Sequence, residues 1–160
     1  MSPLRATILS LGAVSLGTGA SAAGAGEGAA ESWPASDYLG ATSCTSCHSS
    51  QGDKWRDGPH AQASASLGAS TGRAPCERCH GTELVRGRVV LANVQCEACH
   101  GAGRYYAAED IMRNPELSTK LGLRRPRDDE ELVQLCQQCH IEETTLSPFD
   151  ALEAWARIGH

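Results

Sequence analysis

A mostly helical fold with little or no β-structure is predicted for this 160-residue chain, and three observations carry the prediction. Apolar residues recur at helical spacing in segments that open on Asp, Asn or Pro and close on Gly. The chain holds three Trp, three Tyr and one Phe, a thin aromatic supply for an ordinary core. All eight cysteines fall in four Cys-x-x-Cys-His units: Cys44/Cys47/His48, Cys76/Cys79/His80, Cys96/Cys99/His100 and Cys136/Cys139/His140.

Two thiols separated by two residues reach the two vinyl groups on one edge of a porphyrin, and the histidine that follows brings its imidazole beneath the ring to the iron. A zinc ribbon pairs Cys-x-x-Cys units without a histidine directly after each, and a dithiol oxidoreductase does not carry four. The four units therefore read as attachment sites for four haem c groups, with the cysteines as covalent links and His48, His80, His100 and His140 as proximal ligands. Four apolar rings would form the core that the aromatic residues do not. The expected architecture is a small multihaem cytochrome c fold.

Residues 1–22 have the pattern of a cleaved export signal, with Arg5 as the positive start, an uncharged run from Ile8 to Ala20, and Ala20-Ser21-Ala22 as the small-residue cleavage site. The run is diluted by Gly, Ser and Thr, so stable membrane insertion is not expected. Export to the periplasm suits covalent haem attachment. Residues 23–35, rich in Gly, Ala, Ser and Glu, read as a flexible leader, and residues 36–160 as one tetrahaem domain. The net charge of -5, more negative once Arg5 is removed, argues against nucleic acid and anionic lipid as partners and is compatible with a basic patch on a redox protein.

Along the chain, Pro59 is placed as the first residue of a helix through Leu67, with Asp57 or Gly58 at the cap and His60 in its first turn. A Gly/Ser-rich turn over residues 68–72 leads to the second motif, and two apolar runs about Arg86-Gly87 predict a short hairpin over 83–91. Gly101 and Gly103 would let the backbone lie close to a porphyrin face. Asn114 and Pro115 start a helix that Gly122 ends. Acids at 128–131 open a helix whose Leu132, Leu135, Cys136, Cys139 and His140 share one face. The last helix follows Ser147-Pro148-Phe149-Asp150 and is expected to bury Leu152, Trp155 and Ala156.

Four irons with one motif histidine each leave four distal positions to fill. Outside the motifs the chain has His60 and His160, and beyond Met1 its one methionine is Met112. These three are the candidate distal ligands, and a homo-oligomer keeps the same ratio, so one iron is five-coordinate or closed by a less usual group. Tyr105 and Tyr106 read as residues packed against haem.

The residues resemble the family of tetrahaem cytochromes c that accepts electrons from hydroxylamine oxidoreductase, together with related small exported multihaem cytochromes. The similar stretches are Cys44 to His48 with Trp55 and Pro59-His60-Ala61; Val94 to Gly103, whose Cys-Glu-x-Cys-His-Gly-x-Gly is the most specific; and Cys136 to His140 with Ser147 to Asp150 and Ile158-Gly159-His160. The resemblance implies a mostly helical fold with closely packed haem pairs and a crossed ligand scheme, in which His60 faces His140 across one iron. It also implies a five-coordinate haem at the second motif, that of His80. This chain departs from the family in having Tyr105 to Asp110 and then Met112 where a distal histidine is expected. Met112 on the His48 haem and His160 on the His100 haem are the pairings that follow.

Function reads first as an electron carrier between redox proteins. An enzyme reducing a small nitrogen or oxygen compound, such as nitric oxide, at the open haem is the second reading, with Glu83, Arg86 and Arg88 as nearby polar groups. A subunit of a larger multihaem complex or filament is the third.

Overall fold

Helix signals in the chain are strong but short, and the computed structural model turns them, among the described residues, into eight brief α-helices and one hairpin. It describes residues 34–70, 72, 74–85, 88–141 and 148–160, which belong to one compact unit. The expected signal peptide and most of the leader lie outside the described residues, as do Arg86 and Ser147. After a 3₁₀ turn, Ala35–Asp37, come α1 (Ala41–Thr45), α2 (Ser49–Arg56), α3 (Ala74–His80), α4 (Cys96–His100), α5 (Glu109–Met112), α6 (Pro115–Lys120), α7 (Asp129–Gln137) and α8 (Ala151–Ile158). Strands β1 (Gly81–Val85) and β2 (Arg88–Ala92) lie between α3 and α4 and pair antiparallel, Gly81 opposite Ala92 and Leu84 opposite Val89. The fold is mostly helical, as expected, and the hairpin falls at the expected place.

The caps follow from side-chain chemistry. Asn114, Asp128 and Asp150 each accept the backbone N–H three residues on, from Leu117, Glu131 and Glu153. This satisfies donors that no helical carbonyl can reach. Pro115 occupies the first turn of α6, and Gly122 beyond it takes φ 106°.

Between Pro59 and Leu67 the structure departs from the expected helix, forming 3₁₀ turns at Pro59–Gln62 and Ala65–Ser70 with a break at Gly68, φ 48°. The local polar groups have tertiary partners that compete with an i to i+4 ladder. The Ser64 N–H donates to Asn93 Oδ1 at 2.9 Å, the Ser64 hydroxyl donates to the His80 carbonyl at 2.9 Å, and the Ala63 carbonyl lies 2.8 Å from His80 Nδ1. Those bonds tie this segment to the end of α3 and to the exit of β2.

Helix α8 also differs in the face it buries. Ala151 and Ala154 are buried, whereas Leu152 is 45% and Trp155 38% exposed, and Ala156 is exposed as well. Small residues let α8 approach its neighbour α7 closely, which turns the bulky side chains outward. Among the described residues, the buried apolar side chains are Ala41, Ala102, Tyr106, Leu123, Leu132, Ala151 and Ala154, most of them alanine.

Gly101 lies against the backbone of the loop after α6. Its φ is +85°, and a Cβ there would stand 2.6 Å from the Gly122 carbonyl oxygen. Gly103 likewise leaves room for the Glu97 carboxylate and the Leu39 side chain. Gly101→Ala is expected to lose about 2–4 kcal/mol, combining left-handed strain with a backbone clash. The change in urea midpoint of the purified protein measures it.

Candidate functional site

Each Cys-x-x-Cys-His unit lies in or at the end of a short helical turn. The N–H of His48 donates to the Cys44 carbonyl and that of His140 to the Cys136 carbonyl, both at 3.0 Å, while the second and third units lie within α3 and α4. A closed turn of this kind brings two cysteines three residues apart onto one side, beside the histidine. Cys47 is exposed and the other seven cysteines are half-buried.

Residues far apart in sequence bring the units together. The Cys44 thiol donates to the Gly40 carbonyl, and the neighbouring Cys96 sulfur, followed by burial, pushes Cys44 upward, while the Cys44 thiol pushes Cys96 downward. Cys79 and Cys139 are also neighbours, and burial first, then Cys79, raises Cys139 to about 12. Burial, then the nearby Cys136, raises Cys99. The first unit therefore adjoins the third, the third the fourth, and the fourth the second.

Two of the three candidate distal ligands face a motif histidine. The His60 and His140 ring centres are 6.2 Å apart with planes inclined at 48°, and those of His100 and His160 are 6.0 Å apart at 53°. An imidazole nitrogen sits ~2 Å from a first-row metal and ~1.1 Å from its own ring centre, so two rings on opposite faces of one metal have centres ~6 Å apart. Both pairs fit that spacing. Met112 is half-buried at the end of α5, and His48 stands at the N-cap of α2.

Two of the motif rings are held at Nδ1. His100 Nδ1–H donates to the Arg124 carbonyl at 2.9 Å, and His80 Nδ1–H to the Ala63 carbonyl at 2.8 Å, with the Ser66 hydroxyl 3.0 Å away. A carbonyl partner at Nδ1 selects the tautomer in which Nε2 carries the ligand lone pair. Burial depresses the basicity of His60, His100 and His140, with His140 acting further on His60 and His80 on His140. Neutral imidazole is the form that binds a metal. Phe149 stacks on His140, ring centres 3.9 Å apart and planes within 9°. Trp155 lies 6.2 Å from the His160 ring, and Lys54 Nζ donates to the Gly159 carbonyl, tying that end of the chain to α2.

Sequence reasoning gave no role to Glu97, which the structure makes the main clasp of the site. Its side chain is 1% exposed, and its carboxylate accepts the N–H groups of Leu39 at 2.9 Å, Gly40 at 2.8 Å and Gly103 at 2.7 Å. Those bonds join the approach to the first unit to the loop after the third. Thr82, fully buried, donates to the Asn93 carbonyl and accepts the Gln95 N–H, and Gln95 Oε1 accepts the Ala41 N–H at 2.7 Å. The indole N–H of Trp55 donates to the Val94 carbonyl at 2.8 Å. Tyr106 is buried and donates to the Gly101 carbonyl, while Tyr105 is exposed.

Comparison with known proteins points the same way as the motifs. The family described as Cytochrome c554 and c-prime matches residues 43–101. The chain is 29% identical over 131 residues to cytochrome c-554 of Nitrosomonas europaea, covering 66% of this chain and 54% of that one. It thus spans about half the length of the curated relative it matches. No solved structure matches. These similarities support a small c-type cytochrome carrying haem. No helix among the described residues is long and apolar enough to cross a membrane.

Proposed function

We propose that the protein is an exported tetrahaem c-type cytochrome that transfers electrons between redox proteins in the periplasm. The observation that carries this reading is the crossed pairing of His60 with His140 and of His100 with His160 at the spacing two imidazoles take across one iron. Cys44, Cys47, Cys76, Cys79, Cys96, Cys99, Cys136 and Cys139 would hold the four haems by thioether bonds. His48, His80, His100 and His140 are the proximal ligands, and Met112 serves the His48 iron. Each haem, when bound, supplies one-electron chemistry at its iron.

The chain supplies order and tuning. Cysteines of the first and third, the third and fourth, and the fourth and second units lie within electrostatic reach of one another, which supports an order of haems that differs from the order of the units along the chain. Imidazole pairing at two sites, a thioether ligand at another and one iron without a third-party ligand give four different environments, and potentials follow axial ligand, burial and hydrogen bonding. The small apolar core among the described residues agrees with haems as part of the fold.

Spectroelectrochemical titration of the haem-loaded protein, followed by nitric oxide added to the reduced form, tests carriage against catalysis. The expected result is reversible reduction over a spread of potentials, a nitrosyl signal from one haem and consumption of no more than stoichiometric nitric oxide. Repeated turnover would make the protein a reductase instead.

A further inference from the structure

Arg124, Arg125 and Arg127 stand almost consecutively in a chain whose net charge is -5. With Leu123, Pro126 and Leu135 they line a cleft of about 930 Å³ between the loop that follows α6 and the helix α7. All three arginines are exposed, and they are differently engaged. Arg127 Nε donates to the Glu131 carboxylate at 2.7 Å, and Arg124 donates to the Ala98 carbonyl at 3.1 Å. Arg125 has no hydrogen bond or ion pair among the described residues. An unpaired guanidinium beside two others makes a local positive field on an acidic protein, and a carboxylate matches its planar fork.

The cleft lies beside two of the attachment sites. The Arg124 carbonyl accepts the His100 Nδ1–H, and the Arg124 guanidinium donates to the Ala98 carbonyl inside the third unit. Leu135, on the cleft wall, directly precedes Cys136. The positive field is therefore placed where the third and fourth units converge, next to the edges at which thioether-bound rings would be joined to the chain. This surface combines charge opposite to that of an acidic partner with nearness to the proposed haem sites.

We propose that this arginine cleft is an electron-exchange port that docks a redox protein presenting carboxylates around its own cofactor, a reading that rests on the haem sites proposed above. One electron crosses in each encounter: the donor's cofactor is oxidised by one equivalent and one iron of this protein is reduced by one, with no bond made or broken. The arginines steer and orient the encounter, which raises the rate of association more than its final affinity. At this face the local positive charge offsets the net repulsion between two acidic proteins.

Stopped-flow reduction of the oxidised holoprotein by the anionic iron(II)–EDTA complex, with cationic hexaammineruthenium(II) as the control, tests the port. The wild-type rate with the anionic complex is expected to fall as salt rises and to be slowed by added polyglutamate. Arg125→Gln combined with Arg127→Gln should slow that reaction about tenfold at low ionic strength and abolish the polyglutamate effect, leaving the cationic reaction as fast or faster. Arg125→Gln alone, which removes no internal contact, should show a smaller loss of the same sign. Variants with intact haem spectra but wild-type rates and salt dependence would overturn the proposal. So would a shift in haem potential with unchanged salt dependence, which would make the arginines partners of a haem's own propionates. Failure of the wild-type protein to carry haem would instead refute the cytochrome reading, and the visible spectrum separates the two failures.

Discussion

Glu97→Ala is expected to destabilise the folded protein by about 3–5 kcal/mol, because it strands the N–H groups of Leu39, Gly40 and Gly103 without an acceptor. The fully buried Gly103 donor costs ~1–3 kcal/mol when orphaned and the part-buried Leu39 and Gly40 donors less each, and a carboxylate acceptor makes stronger bonds than a neutral one. A domain of this size has a total stability of about 5–15 kcal/mol, so the loss approaches what the fold can bear. Glu97→Gln keeps one carbonyl oxygen in the clasp and brings an NH₂ group that faces donors, so an intermediate loss of about 2 kcal/mol is expected. Urea unfolding of the haem-loaded variants measures both. A Glu97→Ala midpoint indistinguishable from wild type would show that the clasp adds nothing to stability.

Removing a distal histidine should have the largest spectroscopic effect. His60→Ala is expected to convert the iron of the His140 haem from low to high spin, and His160→Ala that of the His100 haem. The two changes should add in the double variant, because the two pairs serve different irons. Added imidazole should restore the low-spin signal in each single variant. Electron paramagnetic resonance of the oxidised proteins reads the count directly; a His60→Ala spectrum identical to wild type would mean that His60 binds no iron.

The site was legible in the sequence wherever the chemistry is local. A Cys-x-x-Cys-His unit carries its own meaning, and the caps at Asn114, Asp128 and Asp150 follow from the residues beside them. His60 and His160 could be named as ligands by counting histidines, but their opposite numbers came from family resemblance, since no local rule says which distant ring a histidine will face. In the structure the His60 and His140 ring centres lie 6.2 Å apart and those of His100 and His160 6.0 Å apart. Glu97 shows the limit: its glutamate sits in the most specific stretch of the chain, yet its acceptor role depends on Leu39 and Gly40, far away in sequence. Tertiary bonds of Ser64 and His80 similarly overrode the helix expected after Pro59, and the choice of Ala151 and Ala154 as the buried face of α8 depends on how closely α7 approaches. Phe149 was visible only as part of a capping sequence, and its stacking on His140 arises from the return of α8 toward the fourth unit.

The central claim is that this chain binds four haems covalently through its eight cysteines and one iron through each motif histidine. Intact mass measurement of the protein purified from a host that attaches c-type haem tests it most directly. The expected mass exceeds that of the polypeptide by four haems, persists in acidified denaturant, and drops by one haem in the double variant Cys76→Ala, Cys79→Ala. A mass matching the bare polypeptide, or one that loses its additions on denaturation, would contradict it.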